Sequence, residues 1–216
     1  MTRAVAVSIA LPTGALLNGA LRVLSRSGLA RLSAERLGRQ LLVERAGLRV
    51  ILVRPADVPA YVDHGAADLG IVGKDVLWET PGSHYELVDL RFGACKMVLA
   101  VPQASALDGP GTWPATFCIA TKYPRTASAW FEGRGQAVEV VRLHGSVELA
   151  PQVDLVDGIV DLTATGRTLR ENRLRVVAEL GTSTARLIAN QASLKTRTAA
   201  IQEAVSRLRE AAAHGG

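Results

Sequence analysis

Val153-Asp-Leu-Val-Asp-Gly-Ile-Val-Asp161-Leu-Thr-Ala-Thr-Gly-Arg-Thr168 is the stretch on which the reading of this chain turns. An apolar run, broken by Asp154 and Asp157, leads to an acidic residue, Asp161, just ahead of a Thr-Ala-Thr-Gly-Arg-Thr turn. A buried strand that passes through Gly and Thr into a helix is the βα step of an α/β protein. Such a turn points several backbone N–H groups and three hydroxyls into one small concavity. Oriented amides hold an anion without a buried cationic side chain, so the concavity suits a phosphate monoester. Asp161 stands at its mouth, placed to hold sugar hydroxyls or a metal ion. The plainer alternative is a strand-to-helix turn with Thr caps.

Outward from this loop, apolar runs alternate with amphipathic ones along the chain. Strands are expected at Ala4 to Leu11, Arg49 to Val53, Asp68 to Val72, Tyr85 to Leu90, Lys96 to Val101, Phe117 to Ala120, Val138 to Leu143 and Gly158 to Leu162. Leu174 to Leu180 and Thr184 to Ala189 read as strands leaving the second lobe. Helices are expected at Leu16 to Leu24, Asp57 to His64 with Gly65 as C-cap, Val76 to Glu79, Arg125 to Glu132, Ser146 to Leu149 capped by Ser146, and Thr168 to Asn172. A final amphipathic helix, Leu194 to Leu208, packs back. Gln103 to Pro114, with Gly109, Pro110 and Gly111, reads as a surface loop. The predicted organisation is two lobes, 1–92 with 174–216 and 93–173, the second carrying the Thr-rich loop. In open α/β sheets ligands sit beyond the carboxyl ends of strands. Three loops qualify: Pro12-Thr-Gly14, Gly70-Ile-Val-Gly73-Lys74 and Thr163 to Thr168.

With 48% hydrophobic and 21% charged residues the composition is that of a soluble globular chain, and no apolar run reaches the length of a bilayer span. No membrane association and a cytoplasmic location are expected. The N-terminal apolar stretch reads as a buried strand rather than a signal sequence. Cys95 and Cys118 read as buried thiols, and the four histidines are scattered, so no zinc site is visible. The net charge of +5 favours anionic partners. The basic residues read as dispersed, without interleaved aromatics, which argues against nucleic acid.

Two further motifs carry weight. Asp68-Leu-Gly-Ile-Val-Gly-Lys-Asp75 has glycines flanking a strand end, where a flat ring or ribose can approach the backbone, or where a helix packs tightly. It is not a Walker A loop, because the spacing and the Ser/Thr after Lys are missing. In Val53-Arg-Pro-Ala-Asp-Val-Pro-Ala-Tyr61, Arg54 and Asp57 flank a helix start, Asp57 as N-cap. Lys122 follows a strand and is placed to meet a phosphate or to be solvated. No Ser-His-Asp, Cys-His or paired-carboxylate constellation is legible.

Taken in order, seven segments resemble one family over nearly the whole chain. They are Val53 to Val62, Ala67 to Leu77, Phe92-Gly-Ala-Cys-Lys96, Ile119-Ala-Thr-Lys-Tyr-Pro124, Gly145-Ser-Val-Glu-Leu-Ala-Pro151, Asp161 to Thr168, and Ala185-Arg-Leu-Ile-Ala-Asn190. The family is ATP phosphoribosyltransferase, in its short form. The resemblance implies a two-lobed fold like type II periplasmic binding proteins and a glycosyltransferase that joins ATP to phosphoribosyl pyrophosphate (PRPP), giving phosphoribosyl-ATP and pyrophosphate. It implies Mg²⁺ as cofactor, carried by PRPP with Asp161 as a further ligand. It implies PRPP at Asp157, Asp161, Thr163, Ala164, Thr165, Gly166, Arg167 and Thr168, and ATP at Leu11, Gly14, Arg39, Arg54, Asp68, Gly73 and Lys74. A homodimer is implied, joined by a histidyl-tRNA-synthetase-like regulatory subunit in a hetero-octamer. One segment departs: the family's Leu-Pro-Lys-Gly-Arg-Leu is Leu11-Pro-Thr-Gly-Ala-Leu16 here, so Thr13 and Ala15 replace two cations, and Arg39 is the basic position left to carry their load. The competing readings are a phosphoribosyltransferase for a free base, and a two-lobed solute- or anion-binding module without catalysis.

Overall fold

The computed structural model describes residues 6–45, 47–108 and 113–214. The chain divides into two compact units, one running through Ala94 and resuming at Thr184, the other Cys95–Ser183. Both are mixed α/β.

The first unit contains β1 (Val7–Pro12), α1 (Leu17–Arg26), α2 (Ala34–Leu37), β2 (Leu42–Arg45), β3 (Leu48–Val53), α3 (Val58–Asp63), β4 (Leu69–Gly73), α4 (Lys74–Glu79) and β5 (Tyr85–Asp89). Among the described residues its sheet has the order β2-β3-β1-β4-β11-β5, where β11 is Ala185–Ala189. β1 runs parallel to β3 and β4, whereas β2 and β11 are antiparallel to their neighbours. Every residue of β1 is buried, as expected for a central strand covered on both faces. Ile9, Leu11, Ile71 and Leu187 pack with Leu21 and Leu24 of α1 and with Ile201 and Leu208 of the C-terminal helix. Ala10, Val72 and Ile188 pack with Val58 and Val62 of α3. A Cβ on Gly70 would lie 2.8 Å from both Val58 Cγ1 and Val62 Cγ2, so this glycine serves close helix–sheet packing and not the approach of a ring.

The second unit contains β6 (Cys95–Pro102), β7 (Cys118–Thr121), α5 (Pro124–Glu132), β8 (Glu139–Arg142), a 3₁₀ segment Val147–Val153, β9 (Gly158–Thr163), α6 (Arg167–Glu171) and β10 (Leu174–Ser183). Its sheet has the order β10-β6-β9-β7-β8, with β7, β8 and β9 mutually parallel and β6 antiparallel to β9. Val98, Ala100, Ala120 and Ile159 pack with Val147, Ala150 and Leu169. A second cluster stacks Trp113 on Phe117 with centroids 5.7 Å apart and sets Trp130 edge-on to Phe131 at 5.0 Å.

Several expectations are corrected. Leu174–Ser183 was expected in the first lobe with the rest of the C-terminal part. It pairs antiparallel with β6 throughout and belongs to the second unit, so the chain crosses back at Ser183–Thr184, not at Arg173. The final helix is two, α7 (Gln191–Thr196) and α8 (Thr198–Ala213), broken at Arg197; Asn190 caps α7 by accepting from Ser193 N at 2.8 Å. Asp57 and Ser146 stand at N-cap positions but make no side-chain capping bond. The edge strand β2 and the helix α2 were not anticipated, because neither is long enough to show a period. Part of the first expected strand, at Ala4, and part of the Gln103 to Pro114 loop lie outside the described residues.

Candidate functional site

In the second unit, the carboxyl ends of β7, β8 and β9 share one edge because the three strands are parallel. Lys122, the His144–Ser146 turn and the Thr163–Thr168 loop therefore lie along that edge, and α5 and α6 start from it. Gly166 has φ +71°, the left-handed conformation that lets the loop turn back into α6. The threonines fold the loop onto itself: Thr163 Oγ1 accepts from Gly166 N at 2.9 Å, and Thr165 Oγ1 from Arg167 N at 3.4 Å. The N–H groups of Ala164 and Thr165 have no hydrogen-bond partner among the described residues. Amides without acceptors, next to the first turn of a helix, are the elements of an anion cup.

Asp161 lies inside β9, opposite Val98 of β6, and is buried. Its Oδ1 accepts from Leu162 N at 2.9 Å; no other bond to its carboxylate exists among the described residues. Burial pushes this carboxyl above its ordinary range. The Leu162 N–H and the Lys122 charge pull it back only in part, and Glu148 adds to the rise. A half-satisfied buried acid at the carboxyl end of a central strand is poised to take hydroxyl donors or a cation.

The other expected members of this group differ in role. Asp157 is spent on the fold: its carboxylate accepts from Cys118 N at 2.8 Å while its own N–H donates to Cys118 O at 2.9 Å, tying β9 to β7. Arg167 reaches Glu171 at 2.7 Å on an exposed surface, and Thr168 is exposed at the start of α6. Sequence reading missed Arg170. Its guanidinium returns over the loop to Thr165 O at 3.1 Å and would lie 3.0 Å from a Cβ on Gly166. The signal available was its spacing, one helical turn after the glycine.

In the first unit, β1, β3 and β4 also end on one edge. Thr13 N donates to Val53 O at 2.8 Å, which sets the Thr13-Gly14 turn beside Arg54. Gly14 has φ +78°, and a Cβ there would meet nothing within 4 Å, so the turn is open above it. β2 starts on this edge, because Leu42 pairs with Ile51 in antiparallel register; Arg39, three residues earlier, belongs there too. Arg39 and Arg54 are exposed and have no ion-pair partner among the described residues. Gly73 and Lys74 close β4 at the same edge. The Asp75 carboxylate covers the Gly73 Cα, and the Lys74 ammonium is held by Glu86, which also takes Arg186 at 3.2 Å.

Two residues expected with this group are elsewhere. Leu11 is wholly buried core. Asp68 precedes β4, whereas Lys74 follows it, so the two are about 20 Å apart, six residue steps along an extended strand. Asp68 Oδ2 accepts from Ser8 N and Ser8 Oγ, both at 2.8 Å, and from Arg197 Nη1 at 3.0 Å; Oδ1 accepts from Ser193 Oγ at 2.6 Å. We assign it a structural role. Burial alone would push its carboxyl up, but the bonds from Ser193 and Ser8 and the Arg197 charge hold it below the ordinary range.

Among the described residues, no three or more His, Cys, Asp or Glu are grouped so as to hold a metal ion, and no helix is long and apolar enough to cross a membrane. Comparison with known proteins matches residues 54–210 to the family model described as HisG: ATP phosphoribosyltransferase. An ATP phosphoribosyltransferase of Rubrobacter xylanophilus is 52% identical over 196 residues, covering 90% of this chain and 91% of its own. A Thermotoga maritima chain, from a structure described as an ATP phosphoribosyl transferase (HisG:HisZ) complex, superposes with TM-score 0.80 at 33% identity over 96% of this chain and 99% of that one. The periplasmic aliphatic sulphonate binding protein SsuA of Escherichia coli, at 15% identity, superposes with TM-score 0.62 over 96% of this chain and 68% of its own, and shares the fold alone.

Proposed function

The chain belongs to the ATP phosphoribosyltransferase family, the first enzyme of histidine biosynthesis, and from that premise we propose which residues hold each substrate and how the reaction runs. PRPP places its 5-phosphate in the Thr163–Thr168 loop, against the Ala164 and Thr165 amides, with Arg170 alongside. Asp161 takes the ribose hydroxyls. ATP occupies the edge of the first unit formed by Gly14, Arg39, Arg54, Gly73 and Lys74. Its phosphates draw on Arg39 and Arg54, since Thr13 and Ala15 carry no charge.

Adenine N1 attacks C1 of the ribose, forming the N1–C1 bond as the bond from C1 to the pyrophosphate oxygen breaks. N1 of neutral adenine already has a free lone pair, so no base has to remove a proton before attack. The chain accordingly needs no catalytic dyad, and the barrier falls by positioning and by stabilising charge. Mg²⁺, when bound, neutralises the departing pyrophosphate. Such an ion needs only one or two protein carboxylates. Asp161 is the carboxylate available to it; Asp157 is already engaged.

The observation that carries this reading is the pair of unpartnered loop amides just beyond a half-satisfied buried acid. We further propose a cytoplasmic homodimer that assembles with a histidyl-tRNA-synthetase-like regulatory subunit into a hetero-octamer; the Thermotoga maritima complex supports a regulatory partner. Purified protein with ATP, PRPP and Mg²⁺ should release pyrophosphate and form a new nucleotide. Asp161→Ala should raise the PRPP requirement at least tenfold while ATP affinity holds. Equal PRPP kinetics in variant and parent would remove Asp161 from the site.

A further inference from the structure

Lys74 follows β4 at the edge given to ATP above, yet its ammonium is held elsewhere. β11 lies between β4 and β5 in the sheet. Gly73, the last residue of β4, pairs with Ala185 of β11, whereas Glu86 of β5 pairs with Ile188, three residues back from that edge. The Glu86 backbone therefore stands about 10 Å short of the strand ends. Lys74 Nζ nonetheless pairs with Glu86 Oε2, so the lysine side chain reaches across β11 toward β5. Arg186 of β11 puts Nη1 3.2 Å from Glu86 Oε1 and Nη2 3.3 Å from Asp89 Oδ2. Positive and negative groups thus alternate along Lys74, Glu86, Arg186 and Asp89.

The backbone under this row is fixed. Lys74 N donates to Thr184 O at 3.0 Å, and Asp89 Oδ1 accepts from Arg91 N at 2.9 Å and from Thr184 Oγ1 at 2.8 Å. The lysine side chain can turn without disturbing these bonds. The two Glu86 oxygens have separate partners, Oε2 on Lys74 and Oε1 on Arg186. Departure of Lys74 leaves Oε1 on Arg186 and gives Oε2 to water, since the Glu86 side chain is 30% exposed. No charge is stranded, so the release of Lys74 costs little.

We propose that Glu86 is a positioning residue for nucleotide binding: it holds Lys74 back from the edge, and a polyanion arriving there must win the ammonium from its carboxylate. The inference rests on the placement of ATP proposed above. A triphosphate offsets the lost pair, because its oxygens offer the ammonium another charge-assisted bond. Part of the ATP binding energy therefore goes into the exchange, and affinity is lower than the same edge would give with Lys74 already free.

The test is calorimetric titration with ATP, without PRPP and at low salt, of the parent, Glu86→Gln, Lys74→Met and the double variant. Lys74→Met should weaken ATP binding about tenfold. Glu86→Gln should tighten it about three- to fivefold when Lys74 is present, the upper range for an ion pair that water still reaches, and should change it by less than about twofold in the Lys74→Met background. Thermal unfolding of each variant checks that the fold is kept. Where Gln disturbs Arg186, Glu86→Asp, one methylene shorter, loosens the hold on Lys74 while retaining the charge, and should tighten ATP in the same direction. Tightening in neither Glu86 variant would overturn the proposal. Equal tightening with and without Lys74 would overturn it too, since the carboxylate would then act on ATP by repulsion alone. A Lys74→Met variant that binds ATP as the parent does would instead remove Lys74 from the ATP edge, a failure of the underlying placement that takes the proposal with it.

Discussion

Asp68→Ala is the substitution whose cost can be worked out most directly. Its carboxylate takes four hydrogen bonds from three segments: the start of β1, α7, and the break between α7 and α8. Truncation strands the buried Ser8 N–H, at about 1–3 kcal/mol, and the buried Ser193 hydroxyl at a similar or smaller cost. Arg197 is half-exposed and rehydrates, so its loss adds little. The sum is about 3–5 kcal/mol, a large part of the roughly 5–15 kcal/mol that holds a domain. Urea unfolding should show it as a lower midpoint, and hydrogen exchange at Ser8 N should lose its protection. Pairing the change with Ser193→Ala should give less than the sum of the two single losses, because they share a bond. The effect should also depend on pH. The folded-state carboxyl lies below its ordinary 3.8, so its stabilisation is complete above that value and is lost as the pH falls through the lower, folded-state value. The parent should therefore lose its advantage over Asp68→Asn only in strong acid. A loss below about 1 kcal/mol, accompanied by weaker ATP binding, would refute the structural assignment and return Asp68 to the nucleotide site.

Asp161→Asn should do the reverse. Its carboxyl is raised in the fold, so the ionised form detracts from stability above that raised value; the variant should melt at the same or a slightly higher temperature near neutral pH, yet use PRPP at least tenfold less well. In the parent, PRPP use should decline on acidification at a pH above the ordinary carboxylate range, and a decline only within that range would count against the raised carboxyl. Gly166→Val places a β-branched residue at φ +71°, at a cost of about 1–2 kcal/mol, and fills the cup; the calorimetric heat of PRPP binding should vanish while ATP binding persists, and an unchanged heat would contradict the loop assignment. Gly70→Ala should cost about 1–3 kcal/mol in thermal unfolding, since Val58 and Val62 are buried backing for the new methyl; a loss under about 0.5 kcal/mol would mean that α3 yields easily.

The α/β class, the buried central strands, the Thr163–Thr168 loop and the placement of Gly14, Arg54, Gly73 and Lys74 at strand ends were all legible in the sequence. Each is set by residues adjacent in the chain: alternation and apolar runs make strands, and a Gly-Thr turn makes the step into a helix. Tertiary structure alone decided what depends on partners far away. Asp68 looked like a ligand because its partners lie 60, 125 and 129 residues off, at Ser8, Ser193 and Arg197. Asp157 looked free because Cys118, whose amide it binds, lies 39 residues upstream. Leu174 to Leu180 reads as a strand of the first lobe yet pairs in the second unit, because a strand's pattern specifies that it is a strand but not which edge it joins. Local periodicity fixes conformation; hydrogen-bond and ion-pair partners are fixed by packing, and packing determines which acids and cations remain free to meet a substrate or a partner.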